Sequence, residues 1–475
     1  MKRALQRGAT AAAVAAMAAT LGACAVQGPV QAPGAAAAQQ AAPPAQWQAP
    51  LPHAGSVTAL AGWWQQQGDA LLAQLVTAAQ EASPSVASAG ARIAQARAER
   101  VASGAALAPT LDAAASVNRM SQQSALPLGT TAQAALQASW EIDLFGAGRA
   151  ARDAAQARLD SAQAGWHDAR VSVAAEVANQ YYALRACEQL LAVARQDAAS
   201  RADTARLTEL SARAGFQPPA TAALARASAA DGNNRAVAQR AVCDVGVKAL
   251  VALTALPEPE LRSRLAAAAP VAPPAIAIDA LPAQTLRQRP DVYSAERAVA
   301  AASADVGNAR AQRYPRLTLS GSVGAANFRA DGHSTQLDTW SIGPLSLTLP
   351  LFDGGRRSAN VDAAGARYDA AVVSYRASVR QAVREVEEAL VNLHSTGERE
   401  GDARTALQGY RESFTAMEDR YKNGMASLLE LEDARRTRLA AEDTVISLQR
   451  ERSAALVALY RAAGGGWSAS QQSPQ

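Results

Sequence analysis

The chain has 475 residues, a net charge of only +4 and 4% aromatic residues, with alanine the commonest residue. Without a dense Lys/Arg cluster this composition argues against nucleic-acid binding, and it points to long helices packed closely through small side chains. Three cysteines and four histidines fall at no metal-ligand spacing and no nucleophile–base pair stands out, so neither an enzyme nor a metal or cofactor is expected.

Lys2, Arg3 and Arg7 precede an apolar stretch from Gly8 to Leu21, the pattern of an export signal over residues 1–23. Leu21-Gly22-Ala23-Cys24 resembles a bacterial lipobox, which would place diacylglycerol and an N-acyl chain on Cys24. Ordinary cleavage after Ala25 is the alternative. Alanine rather than aspartate after the cysteine favours the outer membrane. Residues 24–55, rich in Pro, Ala and Gln, read as a flexible tether. No later apolar run is long enough for a spanning helix.

The remainder is one unit written twice. Pro109-Thr110-Leu111 recurs as Pro315-Arg316-Leu317, Leu144-Phe145-Gly146 as Leu351-Phe352-Asp353, and Ala214-Gly215 more loosely as Asn423-Gly424, all at a nearly constant offset. The repeats span 56–269 and 282–467, joined by a Pro/Ala-rich linker over 270–281 and followed by a disordered tail over 468–475. In each, a helix leads (Ile93 to Ser103; Ala295 to Ala311), and two alternating stretches follow. In the first repeat Leu111, Ala113, Ala115 and Val117, then Leu136, Ala138, Trp140, Ile142 and Leu144, share one side. In the second the same is expected of Leu317, Leu319, Gly321 and Val323, then Leu345, Leu347, Leu349 and Leu351. Period-2 stretches of about 10 residues suit tilted membrane strands, although a soluble sheet packed on helices has the same pattern.

Arg149 to Gly215 contains no proline, which allows about 100 Å of helix, and a returning helix starts at Pro218-Pro219 and stops near Pro257. The second repeat runs likewise from Arg356 to Gly424 and back to about Leu459. Cys187 and Cys243 lie equally far from the Gly215 turn, so an antiparallel hairpin sets them side by side; a disulfide is expected, the alternative being two buried thiols with different neighbours. Gly146, Gly148, Gly354 and Gly355 are assigned to strand-to-helix corners, since they lack the lysine and context of a phosphate loop.

Four membrane strands cannot close a barrel, and open edges in lipid cost several kcal/mol per unpaired group. Copies must then share one barrel. Eight strands from a dimer would be filled by side chains, whereas twelve from a trimer leave an aqueous passage.

Gly62-Trp63-Trp64, Trp140-Glu141-Ile142-Asp143-Leu144-Phe145-Gly146, Arg289-Pro290-Asp291-Val292, Leu349-Pro350-Leu351-Phe352-Asp353-Gly354-Gly355-Arg356 and Gly464-Gly465-Gly466-Trp467 occur in this order. Together they resemble the outer membrane factor family, the TolC-like exit ducts, and above all its NodT-type lipoproteins. Phe216-Gln217-Pro218-Pro219 departs from the family's run at the first hairpin tip. The resemblance implies a mixed α/β membrane protein, in which a long antiparallel α-helical barrel in the periplasm joins a transmembrane β-barrel shared between protomers, four strands each in a trimer of twelve. It implies a passive, non-catalytic conduit working with a periplasmic adaptor and an inner-membrane pump, expected to be of the RND type, in contact with outer membrane lipid. It also implies an acidic ring at the entrance, placed at Asp433 with Glu430 one turn before, and a tip held closed through Tyr421. Ser427-x-x-Glu430 reads equally as a capping box, and Tyr421 equally as a packed turn aromatic. Small-molecule efflux, type I protein or peptide secretion, and a pore-free periplasmic coiled-coil lipoprotein remain as readings; alternation at membrane length disfavours the third.

Overall fold

The protein is described by a computed structural model over residues 63–66, 68–122, 126–268, 286 and 289–467. Cys24, the export signal, the tether, the 270–281 linker and the 468–475 tail lie outside the described residues. The helices and strands, in order, are α1 (Trp63–Gln66), α2 (Ala70–Ala82), α3 (Pro84–Ala105), β1 (Thr110–Gln122), β2 (Leu126–Ile142), α4 (Ala147–Arg213), α5 (Pro219–Thr254), α6 (Glu258–Ala267), α7 (Pro290–Ala311), β3 (Arg316–Ala330), β4 (His333–Thr348), α8 (Arg356–Lys422) and α9 (Leu428–Ala462). The succession helix, two strands, long helix, returning helix occurs twice. No described helix is long and apolar enough to cross a membrane.

The chain divides into two compact units, one holding residues 92–162 and 294–376. Its four strands form one antiparallel meander, β1-β2-β3-β4, in which β2 and β3 join the two repeats. Neighbouring positions across the sheet share a face. One face carries the rows Ile142/Leu317/Leu347, Trp140/Leu319/Leu345, Leu111/Ala138/Gly321/Ile342 and Ala113/Leu136/Val323/Trp340. The other carries Asp112/Gln137/Ser322/Ser341 and Glu141/Thr318/Ser346. The strands are 13 to 17 residues long, longer than the alternation suggested. Their far ends are built from Gly, Ala, Thr and Asn, which give little period-2 signal. Leu144, Leu349 and Leu351 fall outside the strands. Asp143 leaves the ladder to meet the start of α4, and Pro350 has no N–H to donate. A bulge at Gly343-Pro344 keeps Ile342 and Leu345 on the same face, so Trp340 and Ile342 extend the apolar side past the proline.

Small side chains let the helices of this unit approach closely. Ala154, Ala155, Ala157, Ala301 and Ala304 are buried. Asn308 donates to the Ala147 carbonyl (2.9 Å), and the Ser161 and Ser294 hydroxyls meet at 2.8 Å, tying α7 to the start of α4. At the corners Gly146, Gly354 and Gly355 have positive φ (80°, 65° and 89°), a region that costs residues with a Cβ. Gly148 serves differently. It lies inside α4, where an added Cβ would meet the Leu107 side chain at 2.5 Å. Asp143 accepts from the Arg149 N–H (2.9 Å), and Asp353 from those of Gly355 (3.1 Å) and Arg357 (3.2 Å). A carboxylate thus serves the unpaired N–H groups of each long helix.

The second unit holds residues 63–91, 163–293 and 377–467 of the described chain. Its core includes Leu72, Leu75, Tyr181, Leu250, Leu390 and Leu459, all fully buried. Trp63 stacks on Tyr460 (4.8 Å) and Trp64 meets the same ring edge-on. The Arg289-Pro290-Asp291 motif has a local purpose. Buried Arg289 holds Asp291 at 3.0 and 2.7 Å and Glu385 at 2.8 Å, and donates to the Ala462 carbonyl at the end of α9 (2.9 Å). Burial alone would depress its pKa, but the bonds to the two carboxylates outweigh it and raise the pKa.

Candidate channel entrance

Both helical hairpins of the second unit turn by the same chemistry. At the first, Gly215 takes φ 80° while Phe216 N–H reaches back to the Ser211 carbonyl (2.9 Å). At the second, Gly424 takes φ 73° and Met425 N–H reaches the Arg420 carbonyl (2.8 Å). These are Schellman closures, which need a left-handed residue at the helix end. The departing Phe216-Gln217-Pro218-Pro219 run keeps that closure. Pro218 is extended ahead of α5 and Pro219 occupies its first turn, where a missing N–H costs nothing. Phe216 is 84% exposed, and Met425 and Leu429 are exposed with it.

Tyr421 is half-buried at the end of α8, and its hydroxyl meets that of Thr208 on α4 at 2.6 Å, so one hydrogen bond links the two hairpins near their tips. Glu430 lies in a capping box. Its carboxylate accepts from the Ser427 N–H (2.6 Å) and hydroxyl (2.8 Å), while Ser427 Oγ accepts from Glu430 N–H (3.3 Å). Those bonds hold its pKa below the usual carboxylate value. Asp433 is exposed and pairs with Arg436 one turn on. The acid expected to line the entrance therefore carries its own counter-charge, and Glu430 is turned back on its helix start. Cys187 and Cys243 are joined as a disulfide between α4 and α5, with Cα atoms 5.6 Å apart.

A buried charge network lies close by. Asp197 and Arg201 of α4 pair at 2.8 Å. Arg201 also reaches Ser228 of α5 (2.6 Å) and Glu432 of α9. Arg435 of α9, fully buried, pairs with Glu432 and donates to Ser200 (3.2 Å) and Thr204 (3.1 Å) on α4. From α8 the Phe414 ring lies 5.6 Å from its guanidinium. Two carboxylates face two buried guanidiniums, and half-exposed Arg235 of α5 also stands 3.6 Å from Asp197. Burial leads in lowering the Arg435 pKa. Sequence reading missed this network because its members lie far apart in the chain. The available signal was charge on otherwise apolar helix faces, at i,i+4 for Asp197/Arg201 and i,i+3 for Glu432/Arg435.

A sheet apolar on one face, joined in one chain to glycine-turned hairpins that each begin with a 67-residue helix, defines the class of outer-membrane channel protomers. The profile of the outer membrane efflux protein family matches residues 75–255 and 281–465. The toluene efflux pump outer membrane protein TtgI of Pseudomonas putida is 31% identical, over 76% of this chain and 78% of that one. Nodulation protein T of Rhizobium leguminosarum bv. viciae is 30% identical, over 88% of this chain and 86% of its own. The solved outer-membrane channel OprN superposes with a TM-score of 0.79 at 29% identity, covering 89% of this chain and 98% of OprN. The chain belongs to the outer membrane efflux protein family. It has the TolC-like fold and is the outer-membrane channel of an efflux or export system, a passive conduit rather than an enzyme.

Proposed function

We propose that three copies of this chain form the exit duct of a tripartite small-molecule efflux system, anchored to the outer membrane through acyl chains on Cys24. The observation that carries the trimer is the four-stranded meander with an apolar face and two unpaired edges, β1 and β4. In lipid those edges must be covered, and three copies give twelve strands around an aqueous lumen. Exposed Val237, Val242 and Val245 on α5 and Val391 on α8 support further burial between copies. A periplasmic adaptor and a proton-driven inner-membrane pump of the RND type complete the assembly. The efflux names of relatives such as the toluene pump protein favour small molecules over secreted polypeptides. The two matched segments support two repeats over 56–269 and 282–467. Deleting the chain should raise cellular accumulation of a lipophilic dye several-fold, and restored wild type should reverse it; unchanged accumulation would contradict efflux. Cys24→Ser should abolish acyl mass on the purified protein.

A further inference from the structure

The apolar face of the sheet ends in a change of chemistry. Beyond Val117/Ala132/Asn327/Gln336, the last row before the strand turns is Arg119/Thr130/Arg329/Ser334. Both arginines are exposed, and neither makes an ion pair or hydrogen bond with a described residue. Ser334 donates to Asn327 (3.1 Å), while Thr130 stands between the two arginines with its hydroxyl available. Arg119 and Arg329 are two strands apart, about 10 Å between backbones, so their side chains can converge on one anion or take one each. The nearest acids are Asp331, in the β3–β4 turn two residues beyond Arg329, and Asp338, two rows toward the helix end opposite Ala325; neither forms an ion pair with a described residue.

The height of this row fits a headgroup. From Leu317 in the lowest apolar row to Arg329 is twelve residues along β3. At about 3.4 Å per residue and a tilt near 40° that is about 30 Å along the membrane normal, against an apolar band of about 25 Å. The guanidiniums thus stand about 5 Å past the hydrocarbon, on the lipid side, at the turn end of the strands. Given the channel orientation of this family, with the helices in the periplasm, that end meets the outer leaflet.

We infer that Arg119, Thr130 and Arg329 form a binding site for the phosphate groups of the phosphorylated glycolipid of the outer leaflet. The two guanidiniums, unpaired among the described residues, carry donors and no acceptor, and the Thr130 hydroxyl can add a further donor, as phosphate oxygens require. The inference rests on the outer-membrane trimer reading and is separable from it.

Full-length protein extracted from outer membranes in mild detergent would be mixed with bisphosphorylated lipid A, and occupancy per trimer read by native mass spectrometry. R119Q/R329Q should lower occupancy about tenfold, R119K/R329K should retain most of it, and phosphatidylglycerol should compete poorly. Equal occupancy in wild type and R119Q/R329Q, with both trimeric and both recovered from the outer membrane, would overturn the site alone. Equal retention of phosphatidylglycerol would overturn its glycolipid specificity. Wild type that is monomeric or absent from the outer membrane would overturn the channel reading and the site together.

Discussion

Tyr421, beside the second hairpin tip, and His167, far from the tips on α4, show how single side chains set local behaviour. The Tyr421–Thr208 bond is a partly buried contact between hairpins, of a kind worth about 1 kcal/mol. Tyr421→Phe keeps the ring packing and removes only the hydroxyl. It should raise the open population about five-fold, seen as higher single-channel conductance time in planar bilayers; unchanged gating would show that the bond does not restrain the tip. Burial, edge-on against Trp166 (4.9 Å), leads in pushing the His167 pKa below its usual 6.5, with the charge of Arg170 adding to it. A base with a depressed folded pKa binds fewer protons folded than unfolded. Stability is therefore full above pH 6.5 and falls as pH drops from there toward the folded pKa. The thermal midpoint should decline over that window and His167→Gln should flatten it; an equal slope in both proteins would assign it elsewhere. Residues of this kind were partly legible in the sequence. Tyr421 and Glu430 stood out beside the Gly424 turn, and the i,i+3 spacing of Asp433 and Arg436 allowed their ion pair, although several helix-face partners at that spacing compete and only the fold selects one.

The hairpins show what elements add. Loop closure across the 56 residues between Cys187 and Cys243 corresponds to about 4 kcal/mol of unfolded-state entropy. Replacing both cysteines with alanine should lower the unfolding free energy of the second unit by about 2–4 kcal/mol, measured by denaturant unfolding without reductant. No change would mean that helix packing alone sets the hairpin's stability. Two-fold placement about Gly215 made this pairing readable, because an antiparallel hairpin converts sequence symmetry into proximity. The Asp197–Arg201–Glu432–Arg435 network was not readable, because it joins two hairpins whose mutual register is set by tertiary packing. The strands lie between these cases. Leu111 to Val117 and Leu136 to Ile142 declared themselves by alternation, whereas Trp340 and Ile342 were hidden by the bulge at Gly343-Pro344, which breaks the period while preserving the face.

At the scale of the molecule, one protomer is incomplete. Its sheet has two bare edges and an apolar face, and its helices expose valines that a solitary soluble chain would bury. Duplication was legible because both repeats keep their turn glycines and corner motifs in register. Oligomeric number was legible through the family resemblance and through strand counting, the latter a constraint of barrel closure rather than of any single residue. The most direct test is native mass spectrometry of the full chain extracted from outer membranes in detergent. A trimer that persists in detergent is expected. A stable monomer, with its four strands unclosed, would contradict the shared barrel and with it the channel.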